Sequence, residues 1–422
     1  MRNYFSNTVW MLLEKMFSLA LNLIVLIKIA NYLGASEYGL FSYALSLISI
    51  LAVGMHLGLS GIVVNEIVSN PAEENKILLT AYVLKFSVGL FIFCGVLFYL
   101  LFFTAADNES RGILLIFALI LVIQPFEIIE LYFQSKVRMK TYSIIRLIGV
   151  CAGSLLKIGV ILDAGTSIQL ASAHVIQVAL ICGMALLLIW FEKRRDLWSV
   201  DLVFGINMLK KSSYVFLGTA LSIVYLKIDQ VMLKHMAGNS EVGVYSVAVS
   251  FSEASYFIPI AIANSFFPKL IAEREQSELK YEESLLNLLR LLLGFSILLI
   301  GAVWLLSGPM IGLVMSEEFS SVEYLLKIHV LATLFIFLRA LVSKWIILEG
   351  LYKFSAISQG GGALLNVILN LLLIPHYGAT GAAWATVLSY GFASYFVFFF
   401  FKETRYIFDK LTQTYFLRKM IK

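Results

Sequence analysis

Apolar residues run along this chain in long stretches, parted by short polar connections. A hydrocarbon core about 30 Å thick takes roughly 20 helical residues to cross. By that measure twelve spans are predicted, near 9–33, 39–64, 77–104, 112–134, 141–162, 167–191, 213–236, 243–268, 284–307, 323–348, 355–375 and 379–401. The longest connection, Glu192 to Ser212, is too short to hold a soluble domain. The first run is too long for the apolar part of a signal peptide and lacks a small-x-small cleavage site, so it reads as a retained span.

One stretch occurs twice. Gly34-Ala-Ser-Glu-Tyr-Gly-Leu-Phe-Ser-Tyr-Ala-Leu-Ser46 returns 204 positions later as Gly238-Asn-Ser-Glu-Val-Gly-Val-Tyr-Ser-Val-Ala-Val-Ser250, with seven of thirteen positions identical. Each copy joins two long apolar runs, with Ser36 or Ser240 placed to cap the second helix and a Glu at its positive end. An offset near half the chain length predicts two six-helix lobes. Six crossings separate the copies, so both enter the membrane in the same sense, as parallel repeats around a central cavity. The predicted division is an N-terminal lobe over 1–192, a linker over 193–212, a C-terminal lobe over 213–401 and a basic tail over 402–422.

The expected class is therefore an all-α polytopic membrane protein, and a composition 60% apolar and 14% charged agrees. With the even-numbered loops and both termini on one side, that side carries 21 Lys and Arg residues, and the other only Arg111 and Lys234. This ratio predicts that both termini are cytosolic. Topology thus accounts for the net charge of +5 without a nucleic-acid partner. Membrane lipid is the expected surrounding, and the tail, where basic residues alternate with Ile407, Phe408, Leu411, Tyr415 and Phe416, reads as a helix lying on an anionic leaflet. Cys94, Cys151 and Cys182 all lie inside apolar runs, so neither a disulfide framework nor a metal site is expected.

Nine cationic residues fall within or at the edges of spans: Lys15, Lys28, Lys85, Lys157, Lys227, Arg290, Lys327, Arg339 and Lys344. A buried charge in a membrane is a candidate for function unless its side chain reaches the headgroups. Snorkelling suits Arg290, Lys327 and Lys344, and extends to Lys28 and Lys85. Arg339, 16 residues from Glu323 and 9 from Leu348, lies near the middle of the tenth span. Glu14, Lys15, Ser18, Asn22 and Lys28 share one arc of the first span, which reads as a lumen-facing stripe. In the fifth span Arg146, Gly149, Gly153 and Lys157 share a face. That face fits either a site for a bulky anion or a helix-packing seam.

In the seventh and eighth spans Asp229 and Glu253 are candidates to bind a coupling H+ or Na+, because an isolated buried carboxylate readily takes a proton or cation. The competing reading is that they neutralise Lys227 or another cation. Gln359, Asn366 and Asn370 form a polar face on the eleventh span, and Pro259 marks a kink in the eighth. There is no phosphate-binding loop, catalytic triad or metal cluster, and no enzyme activity or cofactor beyond the coupling ion is expected.

With this topology, several segments resemble a known family: Tyr225-Leu-Lys-Ile-Asp-Gln-Val-Met-Leu233, the Gly238 repeat, Phe266-Phe-Pro268, Asn366-Val-Ile-Leu-Asn370 with Pro375 and Gly378-Ala-Thr-Gly-Ala-Ala383, and Pro125-Phe-Glu-Ile-Ile-Glu-Leu-Tyr-Phe-Gln134. They are similar to the bacterial polysaccharide exporters, the O-antigen and capsule repeat-unit flippases of the multidrug/oligosaccharidyl-lipid/polysaccharide superfamily. The resemblance implies two six-helix lobes around a cationic cavity, and movement of an undecaprenyl-pyrophosphate-linked glycan across the inner membrane by alternating access. It also implies work alongside a polysaccharide polymerase and chain-length machinery in lipopolysaccharide or capsule assembly. One departure is Asn65-Glu66-Ile67-Val68, where these proteins often carry a basic residue.

Residue chemistry points the same way, since a pyrophosphate calls for cations. Nine cations face five clear acids within the spans: Glu14, Glu127, Glu130, Asp229 and Glu253. Arg339, Lys15, Lys157, Lys28, Lys227 and Arg146 are the candidate substrate cations. Asn22, Ser18, Gln359, Asn366 and Asn370 are the candidate polar lining, and Asp229, Glu253 and Glu14 the candidate ion-coupling acids. A cation-coupled drug or small-molecule exporter of the same fold is the alternative, and an acidic cavity would favour it. A membrane glycosyltransferase is disfavoured by the absence of a large extracytosolic loop.

Overall fold

The computed structural model describes residues 2–103, 107–192 and 198–416. Among them every regular element is helical, in chain order α1 Arg2–His56, α2 Ser60–Ser69, α3 Glu74–Phe102, α4 Asn108–Ala118, α5 Ile120–Ile123, α6 Ile128–Ser135, α7 Met139–Leu162, α8 Ser167–Glu192, α9 Leu202–Met236, α10 Asn239–Glu253, α11 Phe257–Gln276, α12 Glu278–Val314, α13 Val322–His329, α14 Thr333–Leu348, α15 Tyr352–Ser394 and α16 Arg405–Tyr415. Ten continuous helical stretches are long and apolar enough to cross a membrane. Two of these contain a glycine with a positive φ, Gly34 in α1 and Gly378 in α15. At 1.5 Å per residue, a straight α15 of 43 residues would be about 65 Å long, twice what a bilayer core accepts. It is not straight: a Cβ on Gly381 would lie 2.5 Å from the carbonyl oxygen of Leu373, so the chain reverses at Gly378. Counted at these two glycines, the ten stretches make the twelve expected crossings.

The repeated sequence marks the same device in both halves. Gly34 has φ 74° and ψ 171°, and Gly238 has φ 91° and ψ 177°. Glycine adopts this conformation without the steric strain a side chain would add. The expected serine cap is not used at α10: Gly238 is the N-cap residue and no side chain caps the helix. Glu241 instead reaches the neighbouring turn, accepting from the Ala379 backbone N–H at 2.6 Å.

The chain divides into two compact units, residues 1–223 and 224–422, with the boundary inside α9. Of the expected linker, 193–197 lies outside the described residues and Leu202 onward is already α9. Asp201 starts that helix by accepting from the Phe204 N–H at 2.9 Å and pairing with Lys76 at 2.9 Å. The backbone bond first, and the lysine second, hold its carboxyl below the usual range.

In the first unit, the second predicted span ends at His56, earlier than expected. Leu57 and Gly58 both take positive φ, and α2 restarts the helix. A Cβ on Gly58 would meet the Phe216 nitrogen of α9 at 2.6 Å and the Ser212 carbonyl oxygen at 2.8 Å. The acidic departure at Glu66 is answered by Lys211, 2.7 Å away.

In the second unit, Pro259 lies in the first turn of α11, where its missing N–H leaves no gap, after a break between α10 and α11. The tail differs from expectation more sharply. Ile407 and Leu411 of α16 are fully buried in a core with Leu285, Leu289, Trp345 and Ile346, and Lys410 pairs with Glu282 at 3.0 Å. The apolar face therefore packs on protein and not on a leaflet, while 417–422 lie outside the described residues.

Gly58 offers a sharp test. Gly58→Ala is expected to destabilise the protein by about 1–3 kcal/mol, through left-handed strain and the clash with α9. Gly61→Ala, where a Cβ meets nothing within 4 Å, should be neutral or stabilising. Thermal unfolding of detergent-solubilised protein, followed by tryptophan fluorescence, compares the two; equal midpoints would contradict the close approach.

Candidate functional site

Two polar clusters lie inside the two units, and each is built by helices whose remaining surface is apolar. The first centres on Lys157 of α7, only 4% exposed. Its Nζ donates to Gln177 Oε1 at 2.7 Å and lies 3.3 Å from His174 Nδ1, both on α8. Among the described residues no carboxylate pairs with it.

The glycines that share its face answer the question the sequence left open. A Cβ on Gly149 would sit 2.3 Å from Ile181 and one on Gly153 2.4 Å from Gln177. The Gly-x-x-x-Gly face is thus a packing seam against α8 and leaves no space between Arg146 and Lys157 for a bulky anion. Arg146 turns instead to Glu14 of α1, with Nε 3.3 Å from Oε1, and Ser18 donates to the same oxygen at 2.9 Å. Glu14 is therefore buried and ion-paired, while the Arg146 side chain stays 41% exposed. Lys15, Asn22 and Lys28 are exposed, whereas Glu14 and Ser18 are buried, so the expected stripe on α1 divides between two environments. Lys85 does not snorkel: it is buried, within electrostatic reach of Glu127 and Glu130.

The second cluster centres on Asp229 of α9, 3% exposed. Its carboxylate accepts from Tyr245 Oη at 2.7 Å, Thr386 Oγ1 at 2.5 Å and Asn370 Nδ2 at 2.6 Å. Asn370 also donates to Asn366 Oδ1 at 3.0 Å, and Tyr225 donates to Ser389 Oγ at 3.0 Å. Asn366 and Asn370 are thus completely buried around Asp229 and do not line an open cavity; Gln359 is half-buried. A cavity of about 10 Å³, roughly one water or bare cation in size, touches Asp229, Glu253 and Tyr256. No cation pairs with Asp229 among the described residues. Glu253 does have one, Lys227 at 3.3 Å, so these two neutralise each other.

Arg339 of α14 is 8% exposed and belongs to neither cluster. One Nη donates to the Ala393 carbonyl at 3.3 Å and the guanidinium stands 5.6 Å from the Phe398 ring centre. Its Nε and other Nη have no partner. The ion pair with Glu253 that the sequence allowed is absent. Sequence reasoning missed His174 and Gln177, although their spacing of three places both on one face of a helix. It also missed Tyr245 and Thr386, which read as ordinary residues of the repeat and of a small-residue helix.

A family model described as polysaccharide biosynthesis protein matches residues 5–272. The chain belongs to that family. A second model, described as MatE, matches residues 215–372. Over 407 residues, covering 91% of this chain and 80% of the relative, it is 22% identical to "Probable low-salt glycan biosynthesis flippase Agl15" of Haloferax volcanii. "Probable flippase AglR" of the same organism is 27% identical over 192 residues, 44% of this chain and 40% of the relative. The fold is shared with the lipid II flippase MurJ in an inward closed conformation, at TM-score 0.75, 17% identity and coverage of 97% and 93% of the two chains. It is shared also with an inward-facing multidrug resistance MATE transporter, at TM-score 0.72, 16% identity and coverage of 94% and 96%. The relatives are named as flippases, the proteins that share the fold as a flippase and a transporter, and the fold is that of a multi-pass membrane protein.

Lys157 allows structural and functional roles to be separated. Replacing a buried cation that has only neutral partners by an apolar side chain of similar shape removes a desolvation penalty. Lys157→Met is therefore expected to leave the unfolding midpoint equal or higher while transport is lost. A midpoint lowered by several degrees with transport retained would assign the lysine a purely structural role.

Proposed function

We propose that this protein flips an oligosaccharide linked through pyrophosphate to undecaprenol, or to a polyprenol like it, from the cytosolic to the outer leaflet of the plasma membrane by alternating access. Both termini are cytosolic in this reading. The observation that carries it is the state of the buried cations: Lys157 is held only by a neutral amide and an imidazole, and Arg339 leaves two guanidinium nitrogens without a partner. A charge held this way is stabilised by an anion that the substrate brings. Membership of a polysaccharide biosynthesis family and similarity to a relative named as a glycan flippase support the glycan as cargo. Lys15 and Lys28, exposed on α1, are further contacts for the phosphates. An O-antigen or capsule repeat unit as cargo, with a polymerase and chain-length machinery as partners, extends the same reading.

Coupling to an ion gradient is assigned to Asp229. Three donors and a cavity of single-ion size surround a carboxylate with no counter-cation, which suits it to alternate between H+ or Na+ bound and free. Glu253 and Glu14, each already paired with a cation, are secondary candidates. A cation-coupled exporter of small molecules is the second reading, favoured by the MatE match over the segment that holds Asp229.

Three variants test these roles. Arg339→Ala is expected to eliminate surface polysaccharide at normal protein abundance, and Arg339→Lys to retain part of it, since a point charge still holds phosphate. Asp229→Asn should abolish gradient-driven transport in proteoliposomes while substrate binding persists. Undiminished polysaccharide in Arg339→Ala sinks the phosphate role. Undiminished transport in Asp229→Asn sinks the coupling role, and export of cationic drugs without glycan flipping would favour the second reading.

A further inference from the structure

The first unit carries a groove of about 380 Å³ between the first turns of α3 and the last turns of α8, with the start of α6 as its floor. That volume falls within the range of small-molecule sites. The groove follows from a break in the fourth span: at Pro125 the helix gives way to a 3-10 turn over Gln124–Glu127, and α3 and α8 both pack on that turn and on α6. The segment after α8 closes one end. The Asp201 N–H donates to Thr80 Oγ1 at 3.0 Å and its carboxylate pairs with Lys76, which pins this segment on α3 and sets Trp198 in the wall.

The walls are open to a guest and carry no charge. Leu78, Ile128 and Ile189 are buried and form the floor, whereas Leu186, Trp190 and Trp198 at the rim are 40%, 49% and 40% exposed. Beyond the rim α8 continues with exposed Leu187 and Phe191, apolar surface that a bilayer covers, and tryptophans at a helix end mark headgroup depth. The groove is thus continuous with the lipid-facing surface. Lys76 and Glu192, the charges that flank it in sequence, are already paired with Asp201 and Arg138. What enters is therefore selected as a hydrocarbon chain and not by its headgroup. A saturated acyl chain has a free torsion at every bond, whereas each isoprene unit contains a double bond, so a polyprenyl chain loses less freedom when held. Its methyl branches also fill hollows beside bulky rings such as Tyr82 and Phe126, whose centres stand 4.7 Å apart in the wall.

We propose that this groove holds a length of the polyprenyl chain of the cargo lipid, taken up from the leaflet on the side of the basic loops. On the flippase reading, which it presupposes, the groove grips the tail while the buried cations answer the pyrophosphate.

The test uses the full chain in phosphatidylcholine nanodiscs and a polyprenyl monophosphate carrying a diazirine in its chain, with the photolabelled peptides mapped by mass spectrometry. Label is expected on the peptides that hold Tyr82, Leu186 and Trp198. Excess undecaprenyl phosphate should remove it, and the same excess of dioleoyl phosphatidic acid, which has the same headgroup on different chains, should leave most of it. Leu186→Trp, at a half-exposed position, fills the groove and should cut the label about 5-fold or more. Should that variant fail to fold, Trp198→Ala, outside any helix, removes one wall and should cut it about 3- to 10-fold. Label that falls elsewhere, that phosphatidic acid displaces equally, or that the folded variant leaves unchanged would each overturn the groove. Label at the groove displaced only by undecaprenyl phosphate supports it even if lipid-linked glycan is not flipped, which would overturn the flippase reading alone. Flipping with the groove unlabelled overturns the groove alone.

Discussion

The second unit is arranged around a single carboxylate. Asp229 on α9 is bound by Tyr245 on α10 and by Asn370 and Thr386 on the two arms of α15. Sixteen residues separate Asn370 from Thr386 in sequence, and in a straight helix they would stand about 24 Å apart. They meet at one side chain because Gly378 reverses the chain. No water in a hydrocarbon core can replace a missing donor, so three helices are held in register by a charge that would otherwise be too costly to bury. The reversal in turn depends on Glu241, whose carboxylate occupies the space a side chain at 378 would need, 2.5 Å from its Cβ, while accepting from Ala379.

The first unit repeats this framework with different chemistry. Asp229 lies nine residues before Gly238, and Val25 lies nine before Gly34. Tyr245, which donates to Asp229, matches Phe41 in the repeat, where the ring meets Phe117 edge-on with centres 4.9 Å apart. A buried carboxylate and its tyrosine partner in one copy thus become a buried valine and a phenylalanine in the other. Duplication conserved the helices and their turns, which packing dictates, and released the buried polar positions to diverge.

The spans and their number were legible because unbroken apolar length is a signal that nothing in a membrane overrides. The turns were legible from the repeat, although the capping logic was not. A Ser two residues after Gly34 or Gly238 looks like a cap, but at α10 the glycine at Gly238, in a conformation open to few other residues, ends the preceding helix and starts the next. Beside Arg146 the sequence left two readings of the glycine face open for a related reason. A cation on a glycine face suggests an open groove, and only the position of α8, with Ile181 and Gln177 against those glycines, shows the face to be closed. The tail failed on partner identity: an amphipathic helix declares that it will bury one face, and Ile407 with Leu411 cannot say whether lipid or α12 and α14 will cover it.

The buried charges of this chain differ in what closes them. Glu14 with Arg146 and Lys227 with Glu253 are each matched by an opposite charge from another helix, and such pairs fix packing while cancelling the field they create. Lys157, Asp229 and Arg339 are closed by dipoles, by a ring, or only in part. Dipoles stabilise a charge without removing it, so its field persists and can be matched by an ion or headgroup arriving from outside the chain. Among the described residues, Lys157, Asp229 and Arg339 are charges buried without an ion pair, and packing alone does not explain them.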